Sequence, residues 1–83
     1  MQIIYFAWIR EIIGRSEETI DPPAEVSCVE DLLAWLSTRG DEYAEALSNP
    51  KLIRVAVNRE FAGSDTKIEK GDEVALFPPI TGG

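Results

Sequence analysis

The apolar residues of this chain switch from a period of two to a helical period and back again, and that switch constrains the fold more than any other feature. Near the start, Gln2 to Phe6 is rich in β-branched and aromatic residues and predicts a strand. In the middle, Leu32, Leu33 and Leu36 fall on one helical face. Ser27 with Glu30 three positions on forms a capping-box signature for that helix, Cys28 with Asp31 offers a start one residue later, and Gly40 terminates it. Strand period then returns, with Ile53, Val55 and Val57 alternating with Arg54, Ala56 and Asn58, and again over Glu73 to Phe77. This order predicts an α+β domain in which a mixed sheet grips one main helix. The first and last strands can lie parallel in the middle of the sheet, joined by a right-handed crossover.

Lesser elements fill the gaps. Ala7 to Ile13 ends at Gly14, as a short helical turn closed by glycine would. Glu17 to Asp21 predicts a weakly patterned strand stopped by Pro22-Pro23. Asp41 to Leu47 predicts a second, shorter helix broken by Asn49-Pro50. Asn58-Arg59-Glu60 turns the chain, Phe61 sits on a short edge segment, and Lys70-Gly71-Asp72 leads into the last strand.

Eighty-three residues without repeats or linkers make one small domain, here residues 1–77, followed by a tail at residues 78–83. Independent catalysis is excluded on several grounds. Without histidine there is no imidazole base, no Ser-His or Cys-His pair and no imidazole metal ligand. One cysteine, Cys28, builds neither a thiolate metal site nor an internal disulfide, and suits a small capping or packing role in a reducing compartment such as the cytoplasm. The glycines at 14, 40, 63 and 71 stand singly, so no phosphate-cradling loop exists. Pairs such as Glu17-Glu18 and Asp41-Glu42 read as a solvated face. The formal charge of −7, with nine acids between Glu17 and Glu45 against Arg39 alone, excludes a nucleic-acid partner and fits either a basic protein partner or simple solubility. No run reaches the length of a membrane span, and the apolar start lacks the basic region and cleavage site of a signal peptide.

Chemistry concentrates at the end, in Pro78-Pro79-Ile80-Thr81-Gly82-Gly83. Two terminal glycines carry no Cβ, so the segment can lie flat in a narrow channel with its last carbonyl carbon open to approach. Gly83 is the candidate reacting residue. Pro78 and Pro79 favour an extended conformation and lower the entropy lost when a partner straightens the tail. At about 3.3 Å per residue, six residues reach about 20 Å, far enough to enter a buried site on another protein.

Alternation also exposes what the domain does not use. If Val74 and Leu76 face the helix, Ala75 and Phe77 face away, and the same parity puts Ile3 and Tyr5 inside with Gln2, Ile4 and Phe6 outside. Unless a loop or the short helix covers these rings, Phe6 and Phe77, joined by Phe61 and bordered by Arg10 and Arg54, form an apolar patch at the root of the tail. Such patches mark partner sites.

Tyr5-Phe6-Ala7, Ile9-Arg10-Glu11, Val57-Asn58, Gly71-Asp72-Glu73-Val74-Ala75 and above all Phe77-Pro78-Pro79-Ile80-Thr81-Gly82-Gly83 resemble the small-subunit family of molybdopterin synthase, the MoaD-type sulfur carriers. The match spans the chain but is thin between Gly14 and Pro50, where the Val29-Glu30-Asp31-Leu32 helix start carries it. The resemblance implies a ubiquitin-like β-grasp fold. It further implies that an E1-like adenylyltransferase activates Gly83 with ATP, that a sulfur donor converts the adenylate to a thiocarboxylate, and that the tail then enters the large synthase subunit of a heterotetramer. There the sulfur passes to cyclic pyranopterin monophosphate to build the molybdopterin dithiolene. Phe6, Arg10, Phe61 and Phe77 would form the docking surface, and the chain itself would bind no cofactor. Two alternatives use the same terminus, sulfur carriage for another thiolation pathway and ubiquitin-like modification of lysines.

Overall fold

A computed structural model describes residues 1–79. Its elements run β1 (Gln2–Tyr5), α1 (Ala7–Ile13), β2 (Glu17–Thr19), α2 (Val29–Ser37), α3 (Asp41–Ala46), a 3₁₀ turn (Pro50–Leu52), β3 (Arg54–Val57), β4 (Glu60–Ala62) and β5 (Glu73–Phe77). The five strands form one sheet in the order β2-β1-β5-β3-β4. β1 and β5 are parallel at its centre, with Ile3 beside Val74 and Tyr5 beside Leu76, and every other pairing is antiparallel. This is the mixed sheet expected from the period switches and the β-grasp arrangement that the resemblance implies.

The inward parity holds along all three long strands. Ile3, Tyr5, Val55, Val74 and Leu76 are buried against Val29, Leu32 and Leu36 of α2, Ile9 and Ile13 of α1, and Tyr43 and Ala46 of α3. Truncating fully buried Leu36 to alanine is expected to cost about 2–5 kcal/mol, read from a denaturant melt.

Both ends of α2 differ from the capping-box expectation. Cys28, in extended backbone, is the N-cap, and it makes no side-chain capping hydrogen bond. The Asp31 carboxylate instead accepts from the Ser27 amide at 3.2 Å and the Ser27 hydroxyl at 3.3 Å, while Glu30 does not close the box. The first free helix amides are satisfied by loop backbone: Val29 N–H donates to the Thr66 carbonyl at 3.0 Å and Glu30 N–H to that of Ser64 at 2.8 Å. A tertiary contact thus replaces the local cap. At the other end, the hydroxyls of Ser37 and Thr38 donate to the carbonyls of Leu33 and Trp35 and draw them off the helix, so α2 stops at Ser37. Gly40 is not its terminator but the N-cap of α3.

β2 ends at Thr19 and α3 at Ala46, each short of its expected limit. Gly14 closes α1 as expected, at φ 87°, with its amide donating to the Arg10 carbonyl. The β3–β4 hairpin needs positive φ at both loop residues, found at 51° for Asn58 and 71° for Arg59. Asparagine tolerates this and arginine does not. Arg59→Gly is therefore expected to stabilise the domain by about 0.5–1 kcal/mol, seen as a raised midpoint in urea. Asn58 also ties the hairpin to β5: its side-chain amide donates to Asp72 at 2.9 Å and its side-chain oxygen accepts from the Glu73 amide at 3.0 Å.

Candidate functional site

All three helices contribute to the core on the inner face of the sheet, and the other face is left open. On it, register aligns Glu17, Ile4, Ala75, Ala56 and Phe61 in one row across the five strands. The next position toward the end of β5 places Phe77 opposite Arg54. The Phe77 ring packs on Phe61 with centroids 5.9 Å apart and planes tilted by 54°. Phe61 is 82% exposed, although an aromatic ring that size is normally covered. Small Ala56 and Ala75 keep the centre of the face flat. Among the described residues no loop or helix buries the rings, which answers the alternative left open by alternation.

Phe6 continues β1 in extended backbone and donates its amide to the Leu76 carbonyl at 3.1 Å, so it stands level with Phe77 across the parallel pair. It is 43% exposed. Arg10 follows one helical turn later, exposed, with its amide donating to the Phe6 carbonyl at 3.3 Å. Phe6, Phe61 and Phe77 are thus brought to one end and one face of the sheet, with Arg10 beside Phe6. Pro78 and Pro79 leave β5 half-buried. Ile80, Thr81, Gly82 and Gly83 lie outside the described residues. Since β5 is a central strand, the chain departs toward them from the middle of the sheet, next to the open face. Pockets elsewhere in the described residues hold no cluster of His, Cys, Asp or Glu fit for a metal ion, and no helix there is long and apolar enough to cross a membrane.

One carboxylate contradicts the solvated-face reading of Glu17-Glu18. Glu17 is exposed, but Glu18 pairs with Ile3 and therefore faces the helices, where its side chain is 7% exposed. It accepts from the Tyr5 hydroxyl at 2.6 Å and the Tyr43 hydroxyl at 2.7 Å, and pairs with Arg15 at 3.2 Å and Arg39 at 3.1 Å. Arg39 also lies 5.3 Å above the rings of both Trp35 and Tyr43. Burial pushes the Glu18 pKa up, but the two phenols and two guanidinium groups outweigh it and hold the carboxyl below its usual range. The same burial and the hydrogen bonds to Glu18 raise both phenol pKa values. The signal was present in the sequence: Glu18 shares parity with Ile20, which is buried. This network braces the edge strand against α3, far from acid-base work on a substrate.

Comparison with known proteins agrees with this geometry. The ThiS family model matches residues 3–83. A molybdopterin synthase sulfur carrier subunit from Escherichia coli is 36% identical over 83 residues, covering 100% of this chain and 99% of that protein. One from Haemophilus influenzae is 35% identical with the same coverage. Among solved structures, the small archaeal modifier protein SAMP1 of Haloferax volcanii superposes with a TM-score of 0.75 at 29% identity, covering 100% of this chain and 98% of that one. The chain belongs to the ThiS family and, within it, to the family of molybdopterin synthase sulfur carrier subunits.

Proposed function

We propose that this chain carries sulfur on Gly83 for a molybdopterin synthase. The observation that carries the reading is the placement of the tail root: Pro78 and Pro79 leave the central strand β5 beside an open aromatic face, and the rest of the tail follows them in sequence. A carboxylate is a poor electrophile and is ionised at neutral pH, so activation is required. In the E1-like adenylyltransferase, the Gly83 carboxylate attacks the α-phosphate of ATP and releases pyrophosphate. A sulfur donor then attacks the acyl carbon and expels AMP, leaving a thiocarboxylate. Inside the large subunit that sulfur bonds to a carbon of the cyclic pyranopterin monophosphate as an oxygen substituent leaves that carbon, and water then cleaves the acyl–sulfur bond and releases the tail as a carboxylate ready for another round. Two deliveries build the dithiolene. The domain of residues 1–77 positions the tail, and the tail itself is the co-substrate. The relatives are named as a subunit, which supports a large-subunit partner. A cytoplasmic heterotetramer with two copies of each subunit fits this chemistry.

The test is conversion of the cyclic precursor by this chain, a large subunit, the adenylyltransferase, ATP and a sulfide source. Intact mass should show one oxygen replaced by sulfur before turnover and restored after it. No conversion, with no such mass change, overturns the reading.

The docking surface has its own test. Phe77→Lys places a charge where a desolvated ring should sit, and loss of such an anchor weakens binding to the large subunit and the adenylyltransferase by about 2 kcal/mol or more. Stability should fall by only about 1 kcal/mol, because Phe77 is half-buried and outside the core. Unchanged titration curves would move the interface elsewhere.

The likeness to a small archaeal modifier protein favours a second reading, in which activated Gly83 acylates a lysine amine on a target protein. Gly-Gly remnants on lysines of other proteins, absent from a strain lacking this chain, would identify it.

A further inference from the structure

The charges of this acidic chain are sorted relative to the open face. Arg15 and Arg39 are committed to Glu18, and Arg59 stands 3.9 Å from Glu73. Arg10, exposed beside Phe6, and Arg54 are different, with no ion-pair partner among the described residues. Arg54 is exposed, opposes Phe77 in the β3–β5 register and so shares its face. The carboxylates sharing that face by parity are Glu17, on the edge strand β2, and Glu73, at the far end of β5. Lys51, also exposed, lies three residues before Arg54 in the turn entering β3. Unpaired cations therefore gather where the tail leaves the open face, while its carboxylates lie at the distant edges, Glu73 beside Arg59, within a chain whose net charge is −7.

We propose that Arg54 sets the orientation in which the face docks, by meeting a carboxylate that the large subunit carries beside the apolar seat for Phe77 and Phe61, at the mouth of its tail channel. This rests on the sulfur-carrier reading and adds to it the chemistry of the partner's rim. A uniformly acidic surface would approach an acidic rim badly, whereas a cation sharing the face of Phe77 at the tail root selects the approach that brings the tail to the channel first. Rim charges act mainly on the association rate, in a way that salt screens, while the buried rings govern dissociation. The exposed guanidinium has no ion-pair partner among the described residues to give up, and its fork geometry suits a bidentate carboxylate contact.

The experiment is stopped-flow association of the full chain with its recombinant large subunit at low and high salt. Arg54→Glu is expected to slow association about tenfold at low salt and to approach the parent at high salt, with dissociation little changed. Arg54→Lys should retain most of the rate, and circular dichroism should show every variant folded. Reversing the opposed carboxylate on the large subunit to lysine should restore association of Arg54→Glu. Equal rates at low salt, or a deficit that persists undiminished at high salt, overturn the proposal while leaving the sulfur-carrier reading intact. A parent chain that fails to bind the large subunit overturns both. Sedimentation that reveals a dimer of this chain, lost in Arg54→Glu, would make a second copy the occupant and overturn the partner assignment.

Discussion

Deleting Gly83, or adding one residue after it, should abolish sulfur transfer while leaving the denaturation curve superimposable on that of the parent. Among the described residues the buried core ends at Leu76, ahead of the tail, so the change is expected to touch the reacting carbonyl and not the core. Turnover of the cyclic precursor reads the first effect and a urea melt the second. Gly82→Ala should be nearly as damaging, because an added methyl group that shifts the reacting carbon by about 1 Å costs on the order of 100-fold. Retained turnover in either terminal variant would exclude Gly83 as the sulfur carrier and with it the proposed mechanism.

Glu18→Gln should be the most damaging substitution of a charged residue in the domain, lowering stability by about 3 kcal/mol at neutral pH, since it strips the ion pairs from Arg15 and Arg39 and the strong acceptor from two phenols. The effect has a definite pH signature. The folded-state pKa of Glu18 lies below its unfolded value, so its contribution is full above the ordinary glutamate range near pH 4.3 and fades as pH falls through the depressed folded value. The stability gap between parent and variant should therefore be widest at neutral pH and shrink below about pH 4. Urea midpoints across that range read it directly; a gap that stays constant into acid would mean that the carboxylate acts through packing and not through charge. Raised phenol pKa values at Tyr5 and Tyr43 add the opposite limb, with stability lost once the unfolded tyrosines ionise near pH 10.

The long elements were legible because burial follows side-chain period: Ile3, Tyr5, Val74 and Leu76 alternate, and Leu32 and Leu36 repeat helically, so the open face followed from parity, while crossover chirality put the first and last strands together at the centre. The patch of Phe6, Phe61 and Phe77 was legible by the same rule, as the residues left over. What escaped was everything decided by a distant backbone. Ser27 and Glu30 carry the residue types of a cap, yet the loop carrying Ser64 and Thr66 supplies the acceptors, which no local motif encodes. Gly40 was misplaced because Ser37 and Thr38 end α2 through their own hydroxyls. Glu18 looked solvated because its partners arrive from separate elements, Tyr5 from β1 and Tyr43 from α3. The aromatic face is thus the part of the site that periodicity could reveal, and Arg54 needed the register of β3 on β5 to be set opposite Phe77.

The parallel pairing of β1 with β5 has a consequence for how the molecule is made. β1 is the first strand to be synthesised and β5 the last, and β5 also supplies the partner for β3. A nascent chain halted anywhere before Phe77 lacks the strand that joins the two halves of the sheet, and the unmatched edges of β1 and β3 remain open to proteolysis and aggregation. Folding of the domain therefore waits for synthesis of β5, and a chain cut short of Phe77 lacks the strand that makes the sheet whole.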